Sequence, residues 1–236
     1  MKSIIKKIKI VILIILIGII AFLMYEINKG YYMYKQAIEN TPISKKIEEI
    51  EKHENYTKLD EVPPIYIKAI LAVEDHRFYE HKGIDFISIT RAILRDVKEL
   101  KLIEGGSTIT QQLAKNAYFT QEKKLERKIA EIFMANELEK KISKDKILEL
   151  YLNTSYFGNG YYSVKEASRG YFKKEPIEMN EYESIMLAGI PNAPSVYAPT
   201  KNPDLAVQRQ KQVARAMVKY GVLTQDEANK ILENGK

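Results

Sequence analysis

The chain has 236 residues, of which 45% are hydrophobic and 29% are charged, and it contains no cysteine. This length suits one domain of ordinary size with a short appendage, and the lack of cysteine excludes disulfides and thiolate metal sites. The formal net charge is +6, but removing the four lysines that precede an apolar N-terminal run leaves only +2. A nucleic-acid-binding domain keeps a concentrated basic face, so no nucleic-acid partner is expected.

The apolar run extends from Ile10 to Tyr25 without a charge. It is slightly shorter than the ~20 residues that span a bilayer, but Ile8 and a snorkelling Lys9 lengthen it. A cleaved signal peptide is the alternative, although no small-residue cleavage site follows the run. We therefore predict a transmembrane anchor at 10–25 and a cytoplasmic tail at 1–9. The lysines of the tail then place the rest of the chain outside the cytoplasm, in a single-pass protein of the cell membrane.

Residues 26–61 are polar and rich in lysine and glutamate, which predicts a stalk or linker. Four tyrosines at the membrane end fit either an interfacial aromatic belt or packing on the domain: Tyr25, Tyr31, Tyr32 and Tyr34. Pro63 and Pro64 punctuate the sequence. The domain proper is predicted to cover 62–236.

Beyond Ile65, apolar residues recur at helical spacing and no stretch of strict alternation occurs. Three polar residues mark helix starts in this region. Thr224 and Asn180 each precede a glutamate by three positions, as in a capping box, and Ser143 precedes an apolar run as an N-cap. The predicted fold class is all-α.

The first chemically dense cluster is AVEDHRFYEHKGID, residues 72–85. Its adjacent carboxylates, Glu74 and Asp75, precede His76, Arg77 and a set of aromatic side chains. A carboxylate beside apolar rings and cations is a tuned general base. The alternative is a solvated acidic pair on the surface.

The second cluster is GGSTITQQLAKN, residues 105–116. Its glycines let the backbone turn, and Ser107 can cap a following helix whose first N–H groups would face an anion. An ordinary loop and N-cap would explain GGS alone, but not Gln111, Gln112 and Lys115 on the same helix. Amides suit sugar hydroxyls, and a lysine suits a phosphate.

Three further clusters are ambiguous when each is taken alone. In RKIAE, residues 127–131, Arg127 and Glu131 have the spacing of a surface ion pair on a helix. The runs KDKILELYLN, residues 144–153, and YFGNGYYSVKEASRGYF, residues 156–172, could be core and loop.

Together, in this order and at these intervals, the five clusters resemble the catalytic domain of the peptidoglycan glycosyltransferases, glycosyltransferase family 51. The resemblance covers EDxxFxxHxG, GGSTITQQ, RKxxE, KxxILExYLN and an FGxG segment that ends in YF, from about Val62 to Gly221. The run LAGIPNAPSVYAP, with Arg209 and Met217, looks like the closing segment of the family. No transpeptidase region follows in this sequence, so the similarity is to the monofunctional members.

The resemblance implies a lysozyme-like domain with a larger head and a smaller, membrane-proximal jaw lobe. It also implies an enzyme that polymerises lipid II into β-1,4-linked glycan strands by inverting transfer, with release of undecaprenyl pyrophosphate. Glu74 would be the general base, and Glu131 a second catalytic residue that holds cations or a metal. The implied substrate-binding residues are Asp75, Phe78, His81, Arg91, Ser107, Thr108, Gln111, Gln112, Lys115, Arg127 and Lys128.

A divalent cation, Mg²⁺ or Mn²⁺, is a candidate cofactor at the pyrophosphate, but no protein metal site and no organic cofactor are expected. Besides lipid II and the lipid-linked glycan, the implied partners are the membrane and other cell-wall synthases. Some apolar residues near the first cluster could dip into lipid or pack in the core: Ile84, Phe86, Ile87, Ile89, Ile93 and Leu94.

The sequence departs from the family pattern at four positions outside the Glu74 core. Ser163 and Lys173 stand where glycine is usual, Glu166 replaces a small residue, and Lys123 lies near a common arginine. We expect altered substrate contact or stability from them. The rival functions are a lysozyme-like lytic transglycosylase or hydrolase, and a non-catalytic cell-wall scaffold.

Overall fold

The computed structural model describes residues 2–99, 106–120, 122 and 124–233. Gly105 and Lys123, and the side chains of Ile93 and Leu94, lie outside this description. The described residues contain twelve α-helices and no strand, which confirms the all-α prediction. The helices are α1 Lys2–Asn40, α2 Ile43–Glu51, α3 Pro64–Glu74, α4 Phe86–Glu99, α5 Ile109–Tyr118, α6 Leu125–Lys141, α7 Lys144–Leu152, α8 Val164–Phe172, α9 Glu181–Gly189, α10 Pro194–Tyr197, α11 Pro203–Lys219 and α12 Gln225–Glu233.

Helix α3 runs through the core and delivers Glu74 at its end. It begins with Pro64 in the first turn, where the missing N–H has no intrahelical partner to lose. Tyr66 and Ile70 are fully buried, and the helix packs against α9 and α11. Because three apolar helices meet here, the last residue of α3 is held rigidly beside α11.

Caps are present at three of the predicted helix starts, Ser143, Asn180 and Thr224. The hydroxyl of Ser143 accepts from Lys146 N at 3.2 Å, and Asn180 accepts from the Glu183 backbone at 2.9 Å. Thr224 N donates to the carboxylate of Glu227 at 2.7 Å. Such caps satisfy N–H groups that the first turn of a helix leaves without partners.

Helix α1 is the one helix in the described chain that is long and apolar enough to cross a membrane. It continues past the apolar run and packs against α6. A Cβ atom on Gly30 would lie 2.6 Å from Ile129 Cβ, so only glycine allows this approach of the two helices. Lys29 Nζ lies 3.4 Å from the Glu126 carboxylate on α6.

The segment predicted as a stalk is therefore packed on the domain rather than detached from it. Tyr34 and Ile43 belong to the hydrophobic core, and the Tyr34 ring stacks on Phe133 of α6 at 5.9 Å. Tyr25 and Tyr32 are exposed and remain candidates for an interfacial belt. Although residues 26–61 are polar overall, the apolar side chains on the side that faces the domain pack into its core. The predicted domain limits themselves stay a prediction.

The first turn of α4 carries exposed apolar side chains. Phe86 is 72% exposed and Ile87 is 55% exposed, whereas Ile84 and Ile89 are half-buried. Phe86 and Ile87 therefore remain candidates for contact with lipid, whereas Ile84 and Ile89 are partly covered by protein.

The departures from the family pattern have local structural roles in and beside α8. Ser163 caps α8 by accepting from Glu166 N at 3.1 Å, and the Glu166 carboxylate accepts from Asn55 Nδ2 at 3.0 Å. Lys173 has φ of +60° at the C-terminus of α8. This left-handed conformation costs a non-glycine residue about 1 kcal/mol, which is why glycine suits the position.

Candidate active site

Glu74 lies where α3, α5 and α11 converge. Its side chain is 7% exposed, and Arg209 Nη2 of α11 lies 3.8 Å from its Oε1. Gln112 Nε2 of α5 donates to its Oε2 at 2.9 Å. Among the residues that the structure describes, the carboxylate thus has one neutral donor and one cation at 3.8 Å, and no shorter ion pair.

Burial raises the pKa of the Glu74 carboxyl above its ordinary value. The Gln112 amide and the charges of Arg209 and Lys115 oppose this rise, while the neighbouring Asp75 adds to it. A carboxylate with a raised pKa accepts a proton more readily than an ordinary surface glutamate. This property is the one required of a general base.

Asp75 has a different environment from Glu74. Its carboxylate is buried, lies 2.9 Å from His81 Nε2 and accepts from the backbone N–H of Ile109 at 3.0 Å. That N–H belongs to the first turn of α5, where a negative charge is stabilised. The anion at the start of this helix is therefore Asp75 itself, and not a substrate group as the sequence suggested.

Phe78 and His81 frame the loop that follows Asp75. Both are buried, and their rings meet edge to face at 6.3 Å. Lys144 Nζ lies 4.3 Å from the centre of the Phe78 ring. Gly83 closes the loop with φ of +79°, a conformation that favours glycine.

Thr108, and not Ser107, caps α5. Its hydroxyl accepts from Gln111 N at 3.1 Å and donates to Gly83 O at 2.7 Å. Gln111 completes the capping box by accepting from Thr108 N at 3.0 Å. The predicted cap was wrong by one residue, because the hydroxyl of Ser107 instead accepts from Lys128 Nζ at 2.7 Å.

Glu131 is buried on α6 and paired with cations on both sides. Arg127 Nη1 contacts its Oε1, and Lys128 Nζ lies 2.9 Å from its Oε2. Arg127 and Glu131 are thus a buried pair and not the surface pair that their spacing alone suggested.

The residues around Glu131 do not fit a protein-bound divalent cation. Both of its oxygens face positive charges, and the described residues contain no group of three histidine, cysteine, aspartate or glutamate side chains that could hold a metal ion. We therefore derive no catalytic step through a metal.

Two cavities border this region. The first, of about 180 Å³, is lined by Glu74, Asp75, His76, Asp85, Ser88, Arg91, Gly106, Ser107, Thr108, Lys219 and Tyr220, with apolar residues of α3 and α4. The second, of about 370 Å³, is lined by Lys115, Asn116, Ser155, Tyr156, Tyr162, Pro191, Asn192 and Pro194. Arg91 and Lys115 thus line separate cavities, whereas the resemblance grouped them at one leaving group.

Three residues of the α11 end of the chain were not assigned to the site by sequence reasoning. Arg209 contacts Glu74, and Lys219 and Tyr220 line the first cavity. Their neighbours in sequence carry no chemical signal, and only the packing of α11 against α3 brings them to Glu74.

Comparisons with known proteins agree with this architecture. The model of the transglycosylase family matches residues 40–218. Penicillin-binding protein 1F of Bacillus subtilis is 46% identical over 170 residues, or 72% of this chain and 24% of the relative. Penicillin-binding protein 1A of Aquifex aeolicus is 42% identical over 172 residues, or 73% of this chain and 24% of the relative.

The chain belongs to the transglycosylase family. This confirms the resemblance to the peptidoglycan glycosyltransferase domain of the penicillin-binding proteins. The chain spans about a quarter of the length of the curated relatives it matches.

Proposed function

We propose that the protein polymerises lipid II into β-1,4-linked glycan strands of peptidoglycan, with inversion and release of undecaprenyl pyrophosphate. The observation that carries this proposal is Glu74, a buried carboxylate of raised pKa that lines a cavity together with the cations Arg91 and Lys219. Family membership supports the general class of reaction. The geometry of the site supports a separate role for each of its residues.

Glu74 acts as the general base in this proposal. The GlcNAc 4-hydroxyl of the acceptor must lose its proton as it attacks the anomeric carbon of the donor, so a carboxylate must lie within hydrogen-bond reach of it. Glu74 lines the first cavity, and we therefore assign that cavity to the acceptor sugar. The proton passes from the sugar hydroxyl to the Glu74 carboxylate.

Lys115 stabilises the leaving group from the second cavity. A pyrophosphate leaves without being protonated, so the reaction needs positive charge and no general acid. The charge of Lys115 opposes the rise in the pKa of Glu74, and in this proposal the donor extends from the base to the second cavity. One direct displacement inverts the anomeric carbon, and no covalent intermediate forms.

Arg127, Lys128 and Glu131 support the site in this scheme. Glu131 forms ion pairs with both cations, and Lys128 in turn donates to the hydroxyl of Ser107, which lines the first cavity. Gln112 orients the base through its hydrogen bond. Asp75, Phe78 and His81 fix the loop beside it.

Helix α1 anchors the enzyme in the membrane that holds its substrate. The lysines before the apolar run stay in the cytoplasm and the catalytic domain lies outside. Because α1 continues onto α6, the anchor connects directly to the helix that carries Arg127, Lys128 and Glu131.

The test is to incubate the full chain in detergent or vesicles with lipid II and, separately, with polymeric glycan. We expect glycan strands from lipid II and no cleavage of the polymer. Cleavage of the polymer without polymerisation would establish the lytic alternative. Failure of both reactions with a folded protein would favour the non-catalytic scaffold. A parallel reaction with chelator tests the candidate Mg²⁺ or Mn²⁺ at the pyrophosphate.

A further inference from the structure

The match to the transglycosylase family ends at residue 218, and the next two residues line the Glu74 cavity. Helix α11 ends at Lys219, with Tyr220 as its C-cap. Gly221 follows with φ of +71°, and Val222 N donates to Met217 O at 2.8 Å. These are the features of a Schellman motif, which fixes the direction of the chain at Tyr220.

Tyr220 joins the end of α11 to the loop that follows the base. Its ring stacks on His76, with 4.0 Å between ring centres and 13° between planes. Burial, together with Arg91 and Arg77, lowers the pKa of His76 against the opposing charges of Asp85 and Asp75. Helix α12 braces this corner with the buried side chains of Ala228 and Ile231.

Three carboxylates and two cations line the first cavity, and Glu74 has Arg209 at 3.8 Å. Asp75 accepts from Ile109 N and contacts His81, and Asp85 accepts from Arg77 Nε at 3.0 Å. Those carboxylates have their own partners. Arg91 on α4 and Lys219 on α11 form no ion pair with any residue that the structure describes.

We propose that Lys219, together with Arg91, binds a diphosphate group of the substrate whose sugar hydroxyl is deprotonated by Glu74. The Tyr220–His76 stack is the positioning contact that keeps Lys219 at the cavity. This inference rests on the proposed function, because it takes the first cavity as the acceptor side. Two cations match the charge of a diphosphate, and the hydroxyl of Ser107, which accepts from Lys128, can still donate to one of its oxygen atoms.

Lys219→Met in the full chain tests this directly. We expect the KM for lipid II to rise about tenfold, in proportion to the loss of one charge-assisted contact, with kcat changed by less than about threefold. Lys219→Arg should restore the KM. Lys211→Met, an exposed lysine on the same helix that does not line the cavity, is the matched control and should leave both constants unchanged. A KM that Lys219→Met does not move overturns the inference.

A binding measurement identifies the anion. In a Glu74→Gln background, which prevents turnover, the ligands are a short-chain soluble lipid II analogue and the same disaccharide-pentapeptide without phosphate. Lys219→Met should weaken binding of the diphosphate ligand about tenfold and leave the phosphate-free ligand unaffected. An equal loss for both ligands would place Lys219 on the stem-peptide carboxylate and overturn the diphosphate assignment.

The positioning contact has its own test. Tyr220→Phe retains the stack and should keep the KM, whereas Tyr220→Leu should raise the KM in the direction of Lys219→Met. A Tyr220→Leu protein that melts like the parent but keeps the parental KM would refute the positioning role. If the parent protein itself does not polymerise lipid II, the proposed function fails. If the parent polymerises and Lys219→Met behaves like it, only this inference fails.

Discussion

Two buried glutamates, Glu74 and Glu131, lie in environments that differ in one decisive respect. Glu131 has Arg127 on one carboxylate oxygen and Lys128 on the other. Glu74 has a neutral amide on one oxygen and a guanidinium 3.8 Å from the other. Similar burial therefore produces opposite chemistry, since a carboxylate flanked by cations is held as an anion, while a weakly compensated one is ready to take a proton. In the proposed function, Glu74 is the general base and Glu131 supports the site.

The largest expected effect comes from Glu74→Gln. Loss of a general base lowers the rate of such a step by about 10²–10⁴-fold, so polymerisation of lipid II should fall by that factor. Gln112 can still donate to the new amide oxygen, so the fold should persist. The measurement is strand formation alongside thermal melting. Retained polymerisation would move the base to another carboxylate, and the first to test would be Asp75 or Glu131.

Glu74→Gln should also change how the stability of the protein depends on pH. Because the native pKa of Glu74 is raised, the free energy of unfolding falls as the pH rises from the ordinary pKa to the native pKa, and the full penalty is present above the native pKa. The penalty disappears as the pH falls back to the ordinary value, because the carboxyl is then protonated in both the native and the unfolded state. Glu74→Gln should therefore melt no lower than the parent at pH 8, and any gain should shrink as the pH decreases.

Glu131→Gln should lower the stability of the protein, whereas Glu74→Gln should not. The Glu131 variant leaves Arg127, whose side chain is 13% exposed, without a counter-charge, and we expect a loss of about 1–3 kcal/mol in the free energy of unfolding. Lys128 is more exposed and contributes less. Denaturant unfolding measures the loss.

The matched control for Glu131→Gln is Glu126→Gln, on the same helix. Glu126 lies 3.4 Å from Lys29, an exposed partner, so its loss should stay below about 1 kcal/mol. If Glu131→Gln kept its stability and lost polymerisation as completely as Glu74→Gln, the division of roles between the two glutamates would be wrong.

The features predicted from sequence were those that depend on near neighbours. Thr224 with Glu227 and Asn180 with Glu183 form caps within one turn, and helical periodicity predicted the all-α class. Glu74 was also found locally, because its motif is contiguous. Such signals are carried by residues a few positions apart, and tertiary packing did not alter them.

The features that could not be predicted from the sequence are contacts between helices that are distant along the chain. Arg209 reaches Glu74 only because α11 packs on α3, and no spacing within α11 indicates this. Ser107 and Thr108 are equally good caps in isolation, and Lys128 on α6 decides between them by engaging Ser107. The anion at the start of α5 is Asp75, which only the folded loop brings there.

Arg209→Met removes a cation that lies 3.8 Å from the Glu74 carboxylate. Arg209 opposes the burial-driven rise in the pKa of Glu74, so without it the pKa rises further and the acid limb of the pH profile of kcat/KM moves to higher pH. Activity at pH 6 should fall more than activity at pH 8. Arg215→Met, an exposed arginine on the same helix, is the control and should leave the limb in place.

A purely structural role for Arg209 predicts a different result. Its Nε also donates to Gly189 O at 3.2 Å, so Arg209→Met should lower the melting temperature in either case. A loss of activity that is uniform across pH would assign Arg209 to packing alone and leave Gln112 as the residue that tunes the base.

The smallest expected effect comes from Ser107→Ala, on the Glu131 side. It removes the hydroxyl that accepts from Lys128, but Lys128 keeps Glu131 as a partner and is 40% exposed, so the free energy of unfolding should fall by less than about 1 kcal/mol. Thr108→Ala, one residue away, removes the N-cap of α5 and should cost about 1 kcal/mol or more. Since Thr108 also fixes Gly83, the loop that follows Glu74 should loosen only in the second variant. If Ser107→Ala instead raised the KM for lipid II while its neighbour did not, the hydroxyl would contact substrate directly, and the cations around Glu131 would belong to the binding site as well as to its support.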